Sequence, residues 1–139
     1  MREFGQHLTI DASLCNSKKL VSQSSVYDIL NNLPAKLGMS KMILPYAVKW
    51  LDPGATLPGI SGFVMIAESH ISIHTFPEKD YVFIDVFSCK GFDVENAVNL
   101  LVNAFEAKKY TKKVIKRVKE IRDRIDKGDE SVFRLKRFS

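Results

Sequence analysis

Two adjacent strand patterns joined by a short turn lie in the middle of the chain, and they constrain the fold more than any other feature. Residues 71–76 and 81–87 are rich in β-branched and aromatic side chains, which favour strands. Residues 77–80, Pro-Glu-Lys-Asp, have the composition of a four-residue hairpin loop. An apolar run over residues 63–67 precedes them. The sequence therefore predicts antiparallel strands in this region.

The register of this hairpin brings two distant positions together. If Phe76 pairs with Tyr81, Glu68 lies opposite Cys89, and the thiol lies beside the bond between Glu68 and Ser69. A slip by one residue would keep the thiol nearby but could reverse the sheet face of its side chain. An ordinary hairpin with a buried, unreactive cysteine fits the same spacing. The register alone leaves both interpretations open.

Residues 68–78 are dense in polar groups, with two histidines, three hydroxyl side chains and two carboxylates among eleven residues. Such groups are costly between buried strands unless they are paired, which makes the cluster a candidate site. In a straight strand, however, Ser69 and His74 lie on opposite faces. A simple Ser-His nucleophile pair is therefore not evident, and the chain has no G-x-S-x-G motif.

The flanking segments predict a mixture of strands and helices. Strands are expected over residues 6–12 and 41–50, although Pro45 indicates an edge or a bulge in the second. A helix is expected from a Ser24 or Ser25 cap to about residue 37, with a possible interruption at Pro34. A second helix over roughly 93–106 is capped by Asp93 and has an apolar stripe.

The 139 residues predict a single domain with a real core. The first residues lack the apolar core of a signal peptide, and no apolar run reaches membrane-spanning length. Two cysteines provide neither a disulfide framework nor metal-ligand spacing, so we expect a reducing cytoplasm and no metal. We interpret His7 as structural and Cys15 as a packing residue.

The charge is strongly asymmetric along the chain. Residues 108–139 contain thirteen Lys or Arg and five acidic residues, a net charge of +8, whereas residues 1–107 carry −3. We expect a short strand near 109–116, a helix to about 126 and a loose basic tail over about 127–139. Because its acidic and basic residues interleave as on a solvated helix, nucleic-acid binding is the less favoured interpretation.

The polar cluster also carries a family resemblance. Residues 68–78, followed by Asp-Val-Phe-Ser-Cys at 85–89, resemble the self-cleaving core of the short prokaryotic S-adenosylmethionine decarboxylases. Shorter matches extend upstream, at residues 5–8, Asp11, Cys15, residues 38–41 and residues 61–62. The resemblance covers roughly residues 4–107 and implies an α+β fold. It implies a two-layer sandwich, with an antiparallel sheet and helices on one face.

The resemblance implies self-cleavage between Glu68 and Ser69. The Ser69 hydroxyl would attack the preceding carbonyl, and the resulting ester would be lost by β-elimination. Residues 1–68 would become the β chain, and residues 69–139 would become the α chain with an N-terminal pyruvoyl group derived from Ser69. A pyruvoyl carbonyl condenses with a substrate amine and serves as the electron sink for decarboxylation.

The resemblance also implies roles for three further residues. His74 would accept the Cα proton during β-elimination, and Ser61 would orient the carbonyl or relay a proton. Cys89 would reprotonate the substrate-derived carbon after carbon dioxide leaves. A thiol suits that step, because it is largely protonated near neutral pH yet gives up its proton more readily than a hydroxyl.

Three residues are candidates for substrate binding. Glu78 matches the family carboxylate that holds the ribose hydroxyls. Trp50 matches the aromatic residue that stacks on adenine only if residues 53–59 contain an insertion, since Ala55 stands at the gapless position. Phe76 is the third candidate.

The resemblance thus predicts a homodimeric, pyruvoyl-dependent decarboxylase of S-adenosylmethionine that supplies the aminopropyl donor for spermidine biosynthesis. Relatives with this fold decarboxylate arginine or ornithine, and the carboxylate of Glu78 would also suit a guanidinium or ammonium group. A non-catalytic basic binding domain on the same fold is a third interpretation.

Overall fold

A computed structural model describes residues 5–117 and 127–128. In these residues, six strands form one sheet in the order β2-β3-β4-β5-β1-β6, and every neighbouring pair is antiparallel. The strands are β1 (Gly5–Ser13), β2 (Tyr46–Trp50), β3 (Gly59–Ile66), β4 (Ser69–Phe76), β5 (Tyr81–Ser88) and β6 (Lys109–Arg117). The helices are α1 (Ser17–Leu20), α2 (Gln23–Lys36) and α3 (Val94–Ala104).

The helices cover one face of the sheet, and the core lies between these two layers. Burial alternates along the strands, so that Ile71 and Ile73 of β4 face the core with Val82 and Ile84 of β5. Gly62 on β3 permits a close approach by α2, because a Cβ atom there would lie 2.7 Å from Leu30 Cδ1. The expected α+β sandwich with helices on one face is confirmed.

No described helix packs on the opposite face of the sheet, which we call the open face. Its side chains alternate with those of the core and include Trp50, which is 66% exposed, and Phe83, which is 41% exposed. The other large apolar residues on this face are Tyr46, Val48, Phe63, Met65, Phe76, Tyr81 and Ile115. Within residues 5–117, nothing covers this apolar surface, and exposed apolar patches of this kind are typical of interaction sites.

The hairpin register is confirmed. Phe76 pairs with Tyr81, and Ser69 pairs with Ser88. Between the two strands, Pro77–Lys79 forms a turn of 3-10 helix, and Asp80 completes it with a φ of 56°. An aspartate tolerates this left-handed conformation better than most residues do.

Several predicted boundaries are wrong. Strand β2 begins only at Tyr46, because Pro45 cannot donate a ladder hydrogen bond. Helix α2 is capped by the side chain of Ser22, whose hydroxyl accepts from the Ser25 amide, and it continues through Pro34. The predicted cap of α3 is correct, since the Asp93 carboxylate accepts from the Asn96 amide. The strand near 109–116 is confirmed as β6, whereas the helix to 126 and most of the basic tail lie outside the described residues.

Candidate functional site

The polar side chains singled out from the sequence form two groups, and β4 connects them. Ser69 begins this strand, and His74 lies five residues further along it. At about 3.3 Å per residue, the two positions are about 17 Å apart. We call the first group the junction, formed by Glu68, Ser69 and Cys89. The second surrounds the pair of Ser61 and His74.

The junction has an unusual backbone. Ser69 has a φ of 151°, a region that residues with a side chain rarely adopt. Such a conformation costs about 1–3 kcal/mol and persists only where the surrounding structure imposes it. Here Glu68 supplies part of that constraint, because its carboxylate is buried and accepts a hydrogen bond from the Ser40 amide at 3.2 Å. The strain therefore falls on the bond that the sequence predicts to be cut.

The carbonyl group of Glu68 is polarised by its neighbour across the hairpin. The Cys89 amide donates a hydrogen bond to the Glu68 carbonyl oxygen at 2.7 Å. A donor at this distance stabilises the negative charge that develops on a carbonyl oxygen when a nucleophile attacks the carbon. Cys89 thus lies beside the junction as the hairpin register predicts, and its backbone amide contacts the Glu68 carbonyl oxygen directly.

The two thiols have different surroundings. Cys89 is partly exposed beside the junction, whereas Cys15 is buried in the core. Burial, with a smaller contribution from Asp80, raises the pKa of the Cys15 thiol to about 11. Cys15 therefore stays protonated and unreactive at neutral pH, as the packing interpretation requires.

At the other end of β4, Ser61 and His74 lie directly opposite each other on the paired strands β3 and β4. The Ser61 hydroxyl and His74 Nδ1 are 2.9 Å apart, a hydrogen-bond distance. Both side chains are exposed on the open face. The pair can therefore exchange a proton with a group that approaches from outside this sheet.

A pocket of about 490 Å³ opens beside this pair. The candidate substrate-binding residues line it together with the pair, namely Trp50, Ala55, Ser61, His74, Phe76 and Glu78. Both alternatives for the adenine-stacking position, Trp50 and Ala55, are thus on its wall. A second cavity of about 450 Å³ between α2 and α3 contains none of the site residues predicted from the sequence.

Glu78 is already engaged by the loop that precedes β3. Its Oε1 atom accepts from the Thr56 amide at 2.6 Å, the Thr56 hydroxyl at 3.2 Å and the Leu57 amide at 3.3 Å. The amide of Thr56, followed by that of Leu57, lowers the pKa of the Glu78 carboxyl group below its usual value. The carboxylate is fully exposed, so this shift implies a charged group and no large stabilisation.

The aromatic candidates are held differently. Phe76 packs against Phe83 with ring centroids 5.1 Å apart. The Trp50 indole N–H donates to Asp52 at 2.8 Å, which orients the ring at the start of the loop.

The sequence analysis did not identify Asp52, Thr56 and Leu57 as parts of the site. The Pro-Gly composition of residues 52–59 predicted a loop but not its contact with Glu78.

A polar cluster on the open face was also missed. His7 Nε2 lies 3.0 Å from Asp85 Oδ1, and Ser72 donates to the other oxygen of Asp85 at 3.4 Å. Phe87 contacts the rings of both His7 and His70. The pairing of His7 agrees with its structural interpretation. The alternation of faces along β1 and β5 would have predicted this cluster if the sequence had shown that these two strands pair.

Two general properties bear on the kind of site. Among residues 5–117, no group of three or more His, Cys, Asp or Glu side chains is arranged to hold a metal ion. None of the helices in the described part of the chain is long and apolar enough to cross a membrane.

The fold and the two groups on β4 define an α+β protein with a strained Glu-Ser junction. Comparison with known proteins gives the family. The sequence model of S-adenosylmethionine decarboxylase matches residues 6–118. The chain therefore belongs to the S-adenosylmethionine decarboxylase family.

Individual relatives agree with this assignment. The chain is 34% identical over 109 residues to the S-adenosylmethionine decarboxylase proenzyme of Pyrococcus furiosus, covering 78% of this chain and 74% of the relative. It is 33% identical over 132 residues to the proenzyme of Pyrococcus abyssi, covering 94% and 86%. The crystal structure of the adenosylmethionine decarboxylase of Aquifex aeolicus superposes with a TM-score of 0.71 at 24% identity, covering 84% and 92%, which supports the fold.

Proposed function

We propose that this protein is a self-processing, pyruvoyl-dependent decarboxylase of S-adenosylmethionine, whose product is the aminopropyl donor for spermidine biosynthesis. The observation that carries the proposal is the junction. It combines a strained serine with a carbonyl group that is already hydrogen-bonded to the Cys89 amide. These features fit a bond that is to be broken by the side chain next to it.

Maturation begins when the Ser69 hydroxyl adds to the Glu68 carbonyl carbon. The C–N bond then breaks, the Ser69 nitrogen becomes a free amine, and an ester links Glu68 to Ser69. Relief of the positive φ at Ser69 favours this step, because the residue is no longer held between two peptide bonds. The Cys89 amide stabilises the oxygen that becomes negative during the attack.

Loss of the Ser69 Cα proton and departure of the Glu68 carboxylate then complete the cleavage. The dehydroalanine left at residue 69 hydrolyses to the pyruvoyl group with release of ammonia. The pyruvoyl group supplies an electron sink for decarboxylation of an amino-acid substrate. The group fits this position, since Ser69 is partly exposed at the start of β4 and Cys89 follows Ser88, the residue that pairs with Ser69.

His74 is the proposed acceptor of the Ser69 Cα proton, and Ser61 holds its imidazole through Nδ1. Within one chain these residues cannot meet Ser69, because β4 is regular between them and separates them by about 17 Å. We therefore assign this proton transfer to the partner's His74.

A homodimer provides that geometry. In a two-fold dimer, each protomer contributes the same surface, and the apolar open face is the surface that the described helices leave uncovered. If the open faces pack with their β4 strands antiparallel, the pocket end of one strand meets the junction end of the other. Each dimer then contains two sites, each made from both protomers.

The substrate occupies the pocket beside Ser61 and His74 in this arrangement. Trp50 and Phe76 provide aromatic surfaces for a nucleobase, and Glu78 provides an acceptor for ribose hydroxyls. Cys89, at the junction, donates the proton that replaces carbon dioxide. Arginine or ornithine would use the carboxylate of Glu78 and could place its cation on one ring, but a flat nucleobase makes fuller use of two aromatic surfaces, so we favour a nucleoside.

The second candidate function is non-catalytic: a basic domain that binds an anionic partner. The observation that favours it is β6, whose nine residues are all exposed and include five Lys or Arg. Such a strand attracts anions.

We expect both thiols to remain reduced in the cytoplasm, where neither function would require a disulfide.

Mass and activity distinguish these functions. The proposal predicts two chains of 68 and 71 residues, the second with a blocked N-terminus. Release of carbon dioxide should be measured from S-adenosylmethionine, arginine and ornithine in parallel. A chain that remains uncut and inert toward all three substrates would refute the enzymatic proposal. Activity on arginine or ornithine, without activity on S-adenosylmethionine, would refute the proposed nucleoside substrate.

Mixed dimers test the composite site. Ser69→Ala and His74→Ala chains, carrying different tags, should each stay uncut when expressed alone. When they are co-expressed, the His74→Ala chain should be cut, because its Ser69 meets the His74 of the Ser69→Ala chain. If processing took place within one chain, neither tagged chain would be cut in the mixture.

A further inference from the structure

The loop before β3 and the carboxylate of Glu78 form one connected unit at the pocket. Oε1 of Glu78 accepts all three hydrogen bonds from Thr56 and Leu57, and no described residue donates to Oε2. Ala55 and Leu57 of the same loop, with Glu78, line the pocket. The loop therefore fixes the carboxylate through one oxygen and leaves the other available to a ligand.

Other contacts hold the loop in place. The Trp50 indole donates to Asp52, and the Ala55 amide donates to the Asp52 carbonyl oxygen at 3.0 Å. Gly59, where the loop ends, lies so close to β4 that a Cβ atom would be 2.8 Å from the Thr75 carbonyl oxygen. Both ends of the loop are thus anchored to the walls of the pocket, and its middle is anchored to Glu78.

We infer that the Thr56–Leu57 backbone is a positioning element for substrate binding: it fixes the Glu78 carboxylate so that Oε2 accepts from the ribose hydroxyls while Oε1 stays on the loop. This inference rests on the proposed function. In the inferred arrangement, the loop and the ligand bind different oxygens of the same Glu78 carboxylate. The alternative is that the ligand displaces the loop from Glu78.

Substitution of Thr56 tests the inference. Thr56→Pro abolishes two of the three hydrogen bonds to Oε1, those donated by the Thr56 amide and the Thr56 hydroxyl, whereas Thr56→Ser retains both donors as the matched control. We expect Thr56→Pro to process normally and to raise KM for S-adenosylmethionine about tenfold with kcat little changed, as expected when binding of ground and transition states is lost equally. Thr56→Ser should match the unaltered protein.

The pH dependence gives a readout that a general loss of structure would not produce. The Thr56 amide is the main cause of the lowered pKa of Glu78, so Thr56→Pro should let that pKa rise. Because the charged carboxylate binds the hydroxyls, KM should increase as the pH falls through this pKa. In Thr56→Pro that increase should begin at a higher pH than in Thr56→Ser. Equal KM values and equal pH profiles for the two variants would overturn the inference.

Hydrogen exchange provides a second measurement on the unaltered, processed protein. The ligand is 5′-methylthioadenosine, which carries the ribose hydroxyls but no amine to react. The amides of Thr56 and Leu57 should be protected without ligand and remain protected when it binds. Loss of that protection on binding would show that the ligand displaces the loop, and would overturn the inference even if Thr56→Pro could not be folded. Neither result bears on self-cleavage or on decarboxylation by the unaltered protein, whose failure would instead refute the proposed function.

Discussion

The two ends of β4 differ in how much of their chemistry is complete within one chain. At the junction, the nucleophile, the carbonyl group and a hydrogen-bond donor to that carbonyl are adjacent, since Ser69 follows Glu68 and the Cys89 amide is 2.7 Å from the Glu68 oxygen. At the pocket end, Ser61 and His74 are paired but face outward with no junction near them. The first end can begin a reaction, whereas the second can only act on a group brought to it.

This difference separates two kinds of constraint. The junction is held by buried contacts, including the carboxylate of Glu68 on the Ser40 amide, and it tolerates a backbone conformation that costs free energy. The pocket end is built from exposed side chains and from a loop that is hydrogen-bonded to Glu78, so a ligand can reach it from solvent. We expect substitution of Ser69 at the junction to prevent the acyl shift itself, and substitutions at the pocket end to affect the later proton transfer or substrate binding.

The largest effect is expected from Ser69→Ala, which removes the attacking oxygen. The chain should remain uncut and inactive, with its fold intact, because the side chain contributes little to the core. The matched control is Ser72→Ala on the same strand, which should be cut normally. Intact mass is the measurement, and a cut between residues 68 and 69 in Ser69→Ala would show that another nucleophile operates.

His74→Ala tests the pocket end on its own. The acyl shift should still occur, but β-elimination should slow by about 10²–10⁴-fold, the usual contribution of a positioned base. The ester that accumulates should be cut by hydroxylamine, which does not attack a peptide bond. His70→Ala, on the same exposed face of β4, is the control. A His74→Ala chain that matures at the normal rate would remove this residue from the mechanism.

Cys89→Ser sharpens the comparison at the junction, because it retains the backbone amide that polarises Glu68 but replaces the thiol. We expect substantial self-cleavage, decarboxylation slowed by about 100-fold, and earlier inactivation as misplaced protonation converts the pyruvoyl group by transamination. The steady-state rate and the number of turnovers before inactivation should both be measured on the cut protein. Wild-type values for both would mean that the thiol only packs.

Cys15→Ala should have the smallest effect. Its thiol is buried and its pKa is raised to about 11, so it has no role in proton transfer near neutral pH. We expect unchanged processing and turnover, with a loss of about 1 kcal/mol in the free energy of unfolding. Urea unfolding measures that loss, and a thiol reagent should still label Cys89 in the variant. Impaired turnover in Cys15→Ala would mean that the two thiols are not as distinct as their surroundings indicate.

Much of the fold followed from local patterns. The alternation of apolar residues over 71–87 determined which face of β4 and β5 is buried, and the four-residue loop determined that Tyr81 pairs with Phe76. Asp93 marked the start of α3 in the same way. These features depend on neighbouring residues only. The predicted strand over 41–50 was too long at its start, because Pro45 interrupts the pairing and β2 begins at Tyr46.

The sequence by itself determined that Cys89 returns to the Glu68–Ser69 bond, because a hairpin fixes the register of every pair along its strands. Only the tertiary structure decided that Ser61 meets His74, since that contact depends on the pairing of β3 with β4. It also decided that Glu78 binds the Thr56–Leu57 amides, and that an apolar face stays open. Contacts between separate elements depend on how the sheet and its loops pack, which no short sequence pattern specifies.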